Sequence, residues 1–238
     1  MIDKLQEAIK NSKKIVFFTG AGMSTDSGIP DFRSETGLYK NNLHAEEIIS
    51  HGYFMAHPDE FYAFYKDKMI FEDAKPNYGH RYIAALQKDK DVSVVTQNID
   101  GLHQLAGSKK VYELHGSIHR NYCMNCHKFY SLADILKQDN VPHCECGGII
   151  KPDVVLYEEG LDEVTIENAV KAIADADTMV ILGTSLNVYP AASFVRYFRG
   201  NTLAIINKSS TSQDSNCDIV IHDSISDTFK KINDSYEL

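Results

Sequence analysis

Residues 13–19 read Lys-Lys-Ile-Val-Phe-Phe-Thr and stop at Gly20-Ala21-Gly22, so a short apolar run enters a turn that glycine makes tight. A strand followed by such a turn opens an α/β unit. Comparable runs recur at 92–96, 111–114, 178–182, 202–206 and 218–221, and helix-like stretches at 80–87 and 164–174 separate several of them. Strands alternating with helices predict an α/β fold with a doubly wound parallel sheet.

Two stretches break this rhythm. Residues 34–77 are rich in aromatics, among them Phe54, Phe61, Tyr62, Phe64, Tyr65 and Phe71, with no convincing buried strand, and read as a helical insert. Residues 118–151 hold four clustered cysteines and Gly147-Gly148. With 238 residues, one core with a small appended module fits better than an array of domains. The expected division puts the large part at about 1–33, 78–117 and 152–238, and the small part at about 34–77 and 118–151.

Composition excludes several classes. At 43% hydrophobic and 24% charged residues the chain is not broadly disordered. No apolar run approaches the roughly 18 residues of a membrane span, and residues 1–14 read as an amphipathic helix, so a soluble, cytoplasmic protein is expected. With 24 basic and 33 acidic residues the net charge is −9, which makes nucleic acid an unfavoured partner.

Cys123-x2-Cys126, 17 residues, then Cys144-x-Cys146 is close to a zinc ribbon, in which two turns each present two thiolates to a tetrahedral ion. The second pair is one residue short. His143-x2-Cys146 would restore the spacing, and His127 is also near, so a mixed ligand set stays open beside the four-thiolate site. Four protein ligands leave no position for water or substrate, and the ion would be structural. Cys217 stands apart.

Gly20-Ala21-Gly22-Met23-Ser24-Thr25 suggests a phosphate-binding turn, since glycines let the backbone approach an anion. The dinucleotide fingerprint wants a glycine where Thr25 stands, so a plain strand-to-helix turn is the alternative on these residues alone. The following loop, 27–33, adds a proline, an acid, an aromatic and an arginine. Polar groups then recur after three more strands, in Thr96-Gln97-Asn98-Ile99-Asp100, Glu113-Leu114-His115-Gly116-Ser117 and Gly183-Thr184-Ser185-Leu186-Asn187. Ligands of open α/β sheets bind at the carboxyl ends of strands, so these segments would converge on one crevice.

Taken in order, GAGMSTDSGIPDFR, TQNIDGLH, LHGS, the cysteine quartet, KPDVVLYEE and GTSLNVYPA resemble the sirtuin family of NAD-dependent protein lysine deacylases, over essentially the whole chain. The chain is similar to the short, prokaryotic-type catalytic core. The resemblance implies a Rossmann-like large domain, a smaller one built from the zinc ribbon and the helical insert, and NAD as co-substrate in the cleft between them. It further implies that an acyl group passes from lysine to ADP-ribose with release of nicotinamide, most simply acetyl. That is group transfer, not hydride chemistry.

By the same resemblance His115 is the general base that takes a proton from a ribose hydroxyl, a task suited to imidazole near neutral pH. Asn98 joins it as a catalytic residue, and Asn98 and Asp100 hold the ribose side and the nicotinamide carboxamide. Gln97 contacts the ribose. Gly20, Ala21, Gly22, Ser24, Ile29, Asp31 and Arg33 line the cofactor path, and Phe32 covers the reactive carbon. Gly183, Thr184, Ser185, Asn207 and Asp218 serve the phosphates and the adenosine half.

Acyl-lysine proteins are the implied partners. The peptide would add as a strand along 151–159, clamped on its other side by 186–189, with Val154, Val155, Leu156 and Val188 bordering the acyl-lysine tunnel. On the helix that the resemblance sets against the acyl pocket, Tyr62 matches the tyrosine of succinyl- and malonyl-preferring members, and Tyr65 stands where they carry an arginine. Lys66 should point elsewhere, so neutral acyl groups are expected. Here the chain departs from the family pattern, which has an aromatic at Leu156 and glycine at Glu158. A zinc-ribbon nucleic-acid binder, a mono-ADP-ribosyltransferase and a nicotinamide-dependent dehydrogenase are the competing readings; the acidic total opposes the first, and an intact His115 favours deacylation over the second.

Overall fold

The computed structural model describes residues 1–31 and 44–233. Its strands are β1 (Lys14–Thr19), β2 (Asp91–Thr96), β3 (Val111–Glu113), β4 (Gly116–Cys123), β5 (Phe129–Ser131), β6 (Ile150–Val154), β7 (Thr178–Leu182), β8 (Thr202–Ile206) and β9 (Ile219–Ile221). The α-helices among the described residues are α1 (Ile2–Asn11), α2 (Ala45–Ile48), α3 (His51–Ala56), α4 (Pro58–Lys68), α5 (Tyr78–Leu86), α6 (Leu102–Leu105), α7 (Leu132–Leu136), α8 (Glu163–Ala174) and α9 (Ile225–Ile232).

Six strands form one parallel sheet in the order β3-β2-β1-β7-β8-β9. The chain builds outward from β1, then returns to β7 beside it and builds the other way, so β1 and β7 bracket the topological switch point. Their apolar runs are continuous because both faces are covered. Ile15 and Phe17 of β1 join the cluster under α1, α5 and α9, whereas Val16 and Phe18 join the one under α8 and residues 191–197.

A second sheet, β5-β4-β6, is antiparallel. It shares a core with α3, α4 and α7, in which Phe54, Phe61, Tyr62 and Tyr65 pack on Ile118, Ile135, Ile150, Val154 and Leu156. Leu114 and His115 are the whole connection between β3 of the first sheet and β4 of the second.

This packing corrects one expectation. Tyr62 and Tyr65 do not face an acyl pocket: both are almost fully buried, the Tyr62 hydroxyl donates to the Ile150 carbonyl, and the Phe61 and Tyr65 rings stack with centroids 5.7 Å apart. Aromatics at 61, 62, 64 and 65 form the packing face of α4, and burial of each ring outweighs any polar use of the hydroxyls. Lys66, next along the helix, turns away and its ammonium caps the carbonyls of Gln138, Asp139 and Asn140.

Candidate active site and metal centre

At the switch point the turns after β1 and β7 touch. A Cβ on Gly22 would stand 2.7 Å from Gly183 Cα, and one on Gly183, at φ +57°, would stand 2.4 Å from the Gly22 carbonyl carbon. The Gly22 amide donates to the Gly183 carbonyl at 2.8 Å. Glycine is required here because two backbones occupy the space a side chain would need. The result is a floor of bare main chain at the carboxyl edge of the sheet.

On this floor opens a cleft of about 1270 Å³. Gly20, Ala21, Gly22, Ser24, Ile29, Asp31, Gln97, Asn98, Asp100, His115, Gly183, Thr184, Ser185 and Asn207 all line it, as do Val154, Val155, Leu156 and Val188. The dispersed strand-end motifs therefore meet in one place. Phe32 and Arg33 lie outside the described residues.

Asp218 does not reach the cleft. It precedes β9, at the amino edge of the sheet, where its carboxylate accepts from the Leu203 amide at 2.8 Å. A parallel strand sends its two ends to opposite edges, so the residue after β9 is the one on the ligand side. Asp223 occupies that side, and Lys208 and Ser209 hold the equivalent place after β8; all three line the cleft. The strand-end rule already applied at 97–100 is the signal that points to them.

The polar side chains are wired to one another. Asn98 Nδ2 donates to Ser24 Oγ at 3.1 Å, and that hydroxyl donates to Asp100 Oδ2 at 2.6 Å. Asp100 Oδ1 accepts from the Leu102 amide. Burial raises the Asp100 pKa against the lowering effect of the Ser24 bond. Across the floor Gln97 Nε2 reaches Thr184 Oγ1 at 3.1 Å, and Asn207 Nδ2 reaches the Thr184 carbonyl at 3.3 Å.

His115 sits where the two sheets join. Its Nδ1 lies 2.9 Å from the Gln97 carbonyl, which can only accept, so Nδ1 carries the proton and Nε2 is the basic nitrogen. Burial lowers its pKa below the ordinary 6.5, with the Gln97 bond opposing. A half-buried, neutral imidazole of fixed tautomer is suited to accept a proton.

Beside the cleft the expected strand over 151–159 divides. β6 ends at Val154, the Val155 amide donates to the His115 carbonyl, and Tyr157 pairs with residues 49–51. Glu158 takes φ +75°, a left-handed conformation that glycine adopts most easily. Its carboxylate accepts from the Gly52 amide in the first turn of α3 at 2.8 Å, an interaction glycine could not make, which offsets the strain.

The four sulfurs of Cys123, Cys126, Cys144 and Cys146 lie within 4.8 Å of one another, with the pairs 123–146 and 126–144 at 3.4 and 3.5 Å. A zinc–sulfur bond of about 2.3 Å implies tetrahedral edges of about 3.8 Å, so the donors suit zinc. Amides of Asn125 and Cys126 point at Cys123 Sγ and favour its thiolate. His143 is turned to the Val141 carbonyl at 2.7 Å. The thiolate quartet is the set the fold assembles.

A family model described as the Sir2 family matches residues 20–190. The chain is 58% identical, over 94% of each chain, to a protein of Clostridium acetobutylicum named NAD-dependent protein deacetylase. It superposes with a TM-score of 0.90 on a solved Sir2 variant with deacetylated p53 peptide and 3′-O-acetyl ADP-ribose, at 37% identity over 97% of this chain and 96% of that one. A second structure, Sir2 with p53 peptide and NAD+, gives 0.86 at 37% identity over 98% and 97%. With the switch-point cleft, the histidine at the sheet junction and the thiolate quartet all in place, the chain belongs to the Sir2 family.

Proposed function

We propose that this protein is an NAD-dependent protein lysine deacylase, with acetyl-lysine proteins as its substrates. The observation that carries the reading is His115, whose basic Nε2 belongs to a cleft floored by the glycine turns of the switch point. The relatives named NAD-dependent protein deacetylase support it. NAD, when bound, supplies an ADP-ribose that accepts the acyl group as the nicotinamide bond breaks.

The chain's own residues divide the remaining work. Bare main chain at Gly20, Gly22 and Gly183 admits the phosphates, and Asp31 and Ile29 flank their path. Asn98, Ser24 and Asp100 form a hydrogen-bonded row that would orient the carboxamide and ribose, because an amide needs a donor and an acceptor opposite it. Gln97, Thr184, Ser185 and Asn207 would hold the adenosine side. His115 takes a proton through Nε2 while Nδ1 stays on Gln97. Val154, Val155, Leu156 and Val188 form apolar walls for the lysine stem, and the cleft side of 155–158 would receive the peptide as a strand.

The two sheets and their helices would act as two lobes, divided near residues 33, 77, 117 and 151, with zinc holding the smaller one. Clustered thiols suit a reducing compartment, which supports the cytoplasm as its location. No helix among the described residues is long and apolar enough to cross a membrane. Incubation with NAD and an acetyl-lysine peptide should yield O-acetyl-ADP-ribose and nicotinamide by mass spectrometry. An ADP-ribosylated peptide instead would favour transfer to protein, and neither product would sink the reading.

A further inference from the structure

Strand β4 pairs with β6 at Gly116↔Val154 and Ser117↔Asp153, then resumes at Asn121↔Pro152, so residues 118–120 form a bulge. Bulges re-aim side chains beside functional sites. Here the bulge turns Arg120 back across the junction between the sheets. Its Nη1 lies 2.6 Å from Glu113 Oε2, at the end of β3, and its Nε lies 2.7 Å from Asp153 Oδ2, on β6. The Glu113 side chain is only 9% exposed. One guanidinium thus joins the last residue of the large sheet to the edge strand of the small one.

His115 stands inside the loop this closes. Its carbonyl accepts from the Val155 amide at 3.0 Å, two residues beyond Asp153, and the Leu114 amide donates to the Thr96 carbonyl. Gly116, at φ +75°, lies against the Asp153 carbonyl so closely that a Cβ would stand 1.9 Å from it. The main chain on both sides of the imidazole is therefore fixed to elements that Arg120 ties together. A lysine could not serve both carboxylates through two separate nitrogens.

We propose that Arg120, with Glu113 and Asp153, is a positioning clamp that sets the relation of the two sheets and so holds His115 on the Gln97 carbonyl. The proposal rests on His115 being the base of the deacylation reading. Removing Arg120 alone would strand the buried Glu113 carboxylate, so the paired variant Arg120→Gln/Glu113→Gln is the cleaner test, with Asp153→Asn as a milder second variant.

Two measurements decide it. In the folded, zinc-loaded protein the His115 Nδ1–H should give a protected imidazole proton resonance, assigned by its loss in His115→Ala. It should broaden or exchange away in both test variants. On the acetyl peptide kcat should fall about 10- to 100-fold in the paired variant while KM for NAD stays within about twofold, because misplacing a reacting group by an ångström has that scale of effect. A variant that keeps the wild-type resonance overturns the clamp, whatever its kcat. An inactive wild type would instead overturn the deacylase reading, and the resonance would still decide the clamp.

Discussion

His115 and Gln97 are joined twice over to the same cleft: the imidazole Nδ1 rests on the Gln97 carbonyl at 2.9 Å, and the Gln97 side-chain amide reaches Thr184 at 3.1 Å. The imidazole on the small-sheet side and the turn after β7 are thus held through one residue that follows β2. Any movement of that strand end would be felt at both.

His115→Ala should abolish deacylation while NAD binding stays measurable, because proton abstraction belongs to the chemical step and other groups hold the dinucleotide. Turnover within a few-fold of wild type would show the base to be misassigned. In the wild type the base must be neutral, and burial lowers its pKa, so the acidic limb of kcat should fall below the ordinary 6.5. A limb above 6.5 would contradict the burial argument.

Metal analysis should find one zinc per chain. Cys123→Ala and Cys146→Ala should each lower the unfolding temperature and release the metal, since a structural site contributes folding free energy directly. His143→Ala should retain full stoichiometry, its ring being committed to the Val141 carbonyl. Zinc lost in the histidine variant would overturn the four-thiolate set.

Neutral acyl groups should be preferred. Val154 and Leu156 are 4% and 3% exposed, and the Lys66 ammonium, one residue beyond Tyr65, is spent on the carbonyls of 138–140. A succinyl carboxylate without a partner between apolar walls would cost several kcal/mol, which is orders of magnitude in rate. We expect kcat/KM for succinyl-lysine far below that for acetyl-lysine on one peptide; equality would defeat the argument.

Acid should destabilise the fold through His80 and His103. Their rings meet at 4.7 Å in the core, and burial pushes His80 down to about 3 and His103 well below 6.5. The unfolded chain therefore binds more protons below about pH 6.5, and stability falls as pH drops, by up to about 1.4 kcal/mol per pH unit for each histidine. His103→Phe should flatten the pH dependence of the urea midpoint between about pH 6.5 and 5. An unchanged slope would show that these rings are not the acid-sensitive groups.

Much of this architecture is local in origin and so was legible along the chain. The central strands β1 and β7 read as unbroken apolar runs, and the glycines at 22 and 183 mark the turns because no other residue fits where two backbones touch. The cysteine spacing encodes its own two turns. What the tertiary structure alone decided are the choices between equivalent faces. Four aromatics on one helix do not say which ring faces a pocket until the second sheet packs on Tyr62 and Tyr65. Glu158 on Gly52 and Arg120 on Glu113 and Asp153 belong to the same class. Their partners are distant in sequence or reached through a bulge, and a side chain's charge says nothing of which neighbour the folded backbone will bring to it.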